Sequence, residues 1–117
     1  MDKEQRDIMS IETVCLITDK GRKYLGQVLK HFRTSRSWSM DELLSEINRV
    51  TGFTVSRATI SELERGNNDP KWNTLAILAA TGHMIHPATG KPLSTTDLFA
   101  IACEILDPSE IIQTPPQ

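Results

Sequence analysis

The stretch VSRATISELERG, residues 55–66, carries a start, an apolar face and a stop for one short helix. Ser56 can cap its N-terminus by accepting a bond from an orphan backbone N–H. Gly66 can take the left-handed turn that closes its last turn. Ile60 and Leu63, with Val55 behind them, point one way, while Arg57, Ala58, Thr59 and Glu62 fall on other faces. These residues alone leave open whether the helix reads a partner or only closes a small core.

The same punctuation recurs along the chain. From Tyr24 onward, Leu25, Val28, Leu29 and Phe32 return at three- and four-residue steps, and Ser35 and Ser37 break the run. Ser39-Met-Asp-Glu42 reads as a capping box opening a second helix with Leu43, Leu44, Ile47 and Val50 on its apolar side, ended by Thr51-Gly52. After Gly66, NNDP is a turn, and Pro70 stands where a helix bearing Trp72, Leu75, Ile77, Leu78 and Ala79 can begin. GHMIHPATGKPLS (82–94) reads as a loop with room for a hairpin around Thr89-Gly90. Ser94, Thr95 or Thr96 can then cap a fifth helix carrying Leu98, Phe99, Ile101, Ala102, Ile105 and Leu106, stopped at Asp107-Pro108. The tail from residue 108 is expected to be extended and mobile. Segment 9–18, MSIETVCLIT, fits a strand or the lead-in to a helix. The expected fold is mainly α: a compact bundle of about five helices, with a short N-terminal strand or hairpin left open.

At 117 residues the chain reads as one domain with a modest, mainly aliphatic core. The formal net charge of −2 argues against avid binding to polyanions. Its distribution does not: residues 20–75 hold ten Lys and Arg against six Asp and Glu, while both ends are acidic. A basic centre between acidic ends can bind phosphate on one face without sticking everywhere. Cys15 and Cys103 lie far apart in apolar surroundings, which fits two buried thiols in a reducing cytoplasm. No signal peptide or membrane span is legible, so no membrane partner is expected.

Residues 25–79 resemble the helix-turn-helix domain of the phage-repressor (Cro/XRE) family. The likeness runs through LGQVLKHFRTSR, SMDELL, TVSRATISELERGNNDP and TLAILA, and the pattern V-S-x-x-T-I-S-x-L-E-x-G followed by Pro is its most specific part. The resemblance implies four or five packed helices with the recognition helix at 56–65. Residues 1–19 then form an acidic segment, 20–81 the DNA-binding domain, 82–107 a loop and helix suited to dimerisation, and 108–117 the tail. In this geometry the recognition helix enters the major groove, where each base pair shows its own donor–acceptor pattern. Arg57, Ala58, Thr59 and Glu62 are the candidate base-contacting residues. Arg57 leads, because a guanidinium can pair with O6 and N7 of guanine, and Ala58 can touch a thymine methyl. Ser39, Ser56, Arg65, Asn67 and Arg49 are the candidate phosphate contacts. The resemblance further implies that Arg33 and Glu64 form a structural pair.

Two features depart from the family pattern. NRVTGF lengthens the connection between the second and third helices by about half a dozen residues. It would either extend the second helix or form a loop that brings Arg49 to the DNA backbone. Met40 stands where the family often has a glutamine bridging phosphate and recognition helix, which Met cannot do.

The expected function is a sequence-specific, double-stranded-DNA-binding transcriptional regulator, a dimeric repressor, with Phe99, Ile101, Ile105 and Leu106 as the dimer surface. The other class of function is a protein-interaction module on the same scaffold, antitoxin-like or an adaptor, with a protein partner in place of DNA. No cofactor, metal or catalytic set is expected: there is no phosphate-binding glycine loop, and His83, His86 and Cys103 lack a fourth ligand. Lys20, Arg22, Lys23, Lys30 and Arg36 fit a solvated face as well as a phosphate-contacting one.

Overall fold

Helices in this protein start where a short polar side chain can accept an orphan amide. In the computed structural model, which describes residues 16–112, Thr18, Ser39, Ser56 and Ser94 each accept from the backbone N–H three residues on. They open α1 (Asp19–Ser35), α2 (Met40–Thr51), α3 (Arg57–Arg65) and α5 (Thr95–Ala102). Ser39 and Ser94 complete capping boxes with Glu42 and Asp97, so each satisfies two donors reciprocally. Among the described helices, α4 (Trp72–Ala80) alone begins without a side-chain cap; its N-cap position is Lys71, the residue after Pro70. A short 3₁₀ turn, Pro108–Glu110, follows α5.

The described chain is compact and mainly helical, with no strand among the described residues. The expected hairpin is reduced to an isolated antiparallel bridge between Ile85 and Pro92, closed by a bond from Gly90 N–H to the His86 carbonyl (2.8 Å). The N-terminal strand, and Cys15 with it, lie outside the described residues.

Helix α1 is the central element and packs on α3 and α5, while α4 lies against α5 and α2. Leu25, Val28, Ile47, Ile60, Leu75, Leu93, Leu98 and Ile101 close one core with almost no exposure. The close seat of α3 on α1 rests on Gly26. A Cβ there would lie 2.4 Å from the Glu64 carbonyl oxygen and 2.6 Å from that of Leu63. Glycine is needed at this point because backbone meets backbone.

Several expectations need correction. Helix α5 stops at Ala102, six residues before Pro108 and short of Ile105 and Leu106, which it was expected to carry. Glu104 turns to φ 62, and the N–H groups of Ile105 and Leu106 fold back onto the Ala100 carbonyl. Ile101, expected on a dimer surface, is wholly buried, and Phe99 and Leu106 pack against the core, leaving Ile105 64% exposed. The start of the supposed tail is structured: Ile111 is buried in the main core. Trp72, expected on the buried side of α4, is 56% exposed and stacks on Phe99 at 5.4 Å. Cys103 is disulfide-bonded rather than a reduced thiol. Among the described residues no helix is long and apolar enough to cross a membrane.

Candidate nucleic-acid interface

The extra residues between the second and third helices go mainly into α2, which runs twelve residues before Gly52 ends it with φ 78. Phe53 to Val55 then lead to the Ser56 cap. Asn48 braces this crossing by donating to the Phe53 carbonyl (3.3 Å). Lengthening α2 carries Arg49 about 12 Å along the helix axis from Asp41. There its Nε donates to Glu46 (2.9 Å), and His83 of the α4–α5 loop meets the same carboxylate (2.7 Å). Arg49 is thus tied into a cluster that joins α2 to that loop.

This cluster makes stability pH-dependent. Hydrogen bonds from Arg49 first and His83 second pull the Glu46 carboxyl from its ordinary 4.5 down to about 2. A depressed carboxylate pKa contributes stability that is present above the unfolded value and is lost as pH falls toward the folded one. Melting temperature should therefore carry a component that declines between about pH 4.5 and 2. Glu46→Gln should flatten that part of the profile; an unchanged profile would remove Glu46 from the account.

The start of α3 presents the predicted readers. Arg57 and Ala58 are exposed and Thr59 is half-buried, while Ile60 and Leu63 are buried beneath them. Helix α3 has no acid in its first turn, unlike α2, which has Asp41 and Glu42. Its dipole therefore offers positive potential to an anion at this end. Ser56 is engaged as the cap, and its hydroxyl also lies 2.7 Å from that of Thr59. Glu62 accepts from Asn68 (2.7 Å), which turns it toward the 66–69 loop.

Other candidates are spread around this turn. Arg65 donates to Ser61 (2.6 Å) at the far end of α3, and Asn67 is exposed just beyond Gly66. Ser39 is occupied by its capping box. Met40 is half-buried and packs against the core. Among the uncommitted cations, Arg22 pairs with Asp19 and Asp69, and Arg36 lies over Phe32 and Trp38 and donates to the His83 carbonyl. Neither arginine is a bare phosphate contact.

Beneath the helix, Arg33 and Glu64 meet as a bidentate pair, Nε to Oε2 at 2.8 Å and Nη2 to Oε1 at 2.9 Å. Arg33 also donates to the Trp38 carbonyl (3.0 Å), so the pair ties the ends of α1 and α3 to the start of α2. The bond to Glu64 holds the Arg33 pKa above its ordinary value against the opposing effect of burial.

No family model, curated protein or solved structure matches the chain.

One residue absent from the sequence-based site is Asp41, whose carboxylate accepts from Arg57 Nη1. The pair spans sixteen positions and forms only because α2 and α3 cross. Asp41 by itself reads as a helix-start acid, so no local signal marks it.

Proposed function

We propose that this chain is a double-stranded-DNA-binding transcriptional regulator of the phage-repressor type, reading the major groove with the first turn of α3. The observation that carries the reading is that turn: acid-free, exposed, led by Arg57, and held from behind by Ile60 and Leu63 in the core. Such a helix can approach base edges with its N-terminal side chains while its own fold stays closed. Ala58 beside Arg57 leaves space for a thymine methyl. A module of this size covers a short half-site, so it acts as a dimer on inverted repeats, and repression follows from occupying them.

Purified protein incubated with sheared DNA of its source at physiological salt, followed by sequencing of the retained fragments, tests this directly. Discrete sites whose halves lie about one helical turn apart are the expected result. Arg57→Ala should cost about 1–3 kcal/mol at the guanine it reads and relax preference there, with helicity unchanged. Equal affinity of the variant for the selected site would remove Arg57 from the reading. Retention without preference would indicate phosphate binding alone.

A protein partner in place of DNA is favoured by one observation. Phe53 is 60% exposed beside α4, where it lines a shallow groove with Ala76, Ile77 and Ala80. No retention of DNA by the wild type would select this second reading.

A further inference from the structure

Arg57 does not stand alone on its helix. Its Nη1 donates to the carboxylate of Asp41, in the first turn of α2, and the two side chains are 63% and 80% exposed. Asp41 has no part in the capping box, which is closed by Ser39 and Glu42. Its carboxylate reaches across to α3 instead. We infer that Asp41 is a positioning residue that sets sequence discrimination, holding Arg57 for guanine and withholding it from phosphate; this rests on the DNA-reading role of α3.

Charge and geometry both lead there. A guanidinium has five N–H donors in a rigid fork. With Nη1 on Asp41, the donors that remain can still face a base edge, and the carboxylate fixes the plane in which they lie. Against a DNA backbone the pair carries no net charge. Arg57 then releases no counterion when it lies near phosphate, and non-specific binding loses one contact. An exposed ion pair is weak in water, so it orients the arginine without locking it away. Helix α3 has only one other arginine, Arg65 at its last turn, already turned onto Ser61.

The test uses the full chain and two duplexes of equal length, one selected by the wild type from a random library and one scrambled. Affinity is measured by fluorescence anisotropy over a salt series. Asp41→Asn keeps the size of the side chain and removes its charge. On the scrambled duplex the log–log salt slope should steepen by about one, and affinity should rise several-fold. The ratio of selected to scrambled affinity should fall. In an Arg57→Ala background the same substitution should alter neither slope nor ratio, since Asp41 acts through Arg57. Circular dichroism and melting confirm that each variant is folded.

Unchanged slope and ratio in Asp41→Asn, while Arg57→Ala loses site preference, overturn the role of Asp41 and leave the DNA-reading function standing. An equal change in both backgrounds overturns it too, because the effect is then one of bulk charge. A wild type that selects no duplex overturns the DNA reading itself, and the role of Asp41 with it.

Discussion

Glu64→Ala should lower the stability of the fold by about 3–5 kcal/mol, a large share of the total for a small domain. The cause is Arg33. Its side chain is only 15% exposed, that of Glu64 7%, and two of its donors are aimed at the lost carboxylate. Without Glu64 a guanidinium stays in a poorly solvated position with one remaining acceptor, the Trp38 carbonyl. Urea denaturation gives the measurement, with the midpoint shifted and the slope unchanged. The double substitution Arg33→Met with Glu64→Leu should recover most of the loss, because two apolar groups leave no unpaired charge. A Glu64→Ala midpoint within error of the wild type would show that the pair is solvated and structurally idle. The same pair anchors α3 under its exposed turn, so the single substitution should also weaken any DNA binding, through misplacement of Arg57 rather than through a lost contact.

Gly26→Val is expected to be the other severe change. The new Cβ would stand 2.4 Å and 2.6 Å from two backbone carbonyl oxygens of α3. These obstacles are backbone and cannot rotate away, so α3 must shift from its seat on α1. Overpacking of ordinary side chains costs about 1–3 kcal/mol, and a backbone clash belongs at or above the top of that range. The better helix propensity of Val over Gly offsets only a few tenths. Gly52 serves as a comparison. A Cβ there meets nothing within 4 Å, but φ is 78, so Gly52→Ala should cost only about 1–2 kcal/mol of left-handed strain. Thermal melting of both variants separates the spatial cause from the conformational one. Equal small losses at both positions would mean that α1 and α3 can part without penalty.

Much of the helical outline was legible in the sequence. Ser39 with Glu42, Ser56, Gly52 and Gly66 act through bonds within a few residues, so their roles can be read from spacing. The same holds for Leu25, Val28, Ile47, Ile60 and Leu63, whose periodicity places each on the apolar face of its own helix. The reading failed where a local pattern continued past the point at which the fold needed it. Ile105 and Leu106 extend the apolar period of α5, yet Glu104 turns left-handed and the helix ends at Ala102. Ile111 lies in a stretch with no helical period and is buried all the same. Trp72 has the right phase for the core, yet it stays exposed and stacks on Phe99, which itself packs against the core.

The candidate site divides in the same way. That Arg57 and Ala58 point outward from a capped helix follows from sequence. That Arg49 is bound by Glu46 and His83, or that Asp41 holds Arg57, does not.

Sequence alone determined where the helices of this protein begin, which face of each is apolar, and which residues the third helix turns outward, because capping and periodicity act over three or four residues. Only the tertiary structure decided how closely α3 sits on α1 at Gly26, where α5 stops, and which acid each arginine meets. Those outcomes depend on residues tens of positions apart, and their distances are set by the packing of the core.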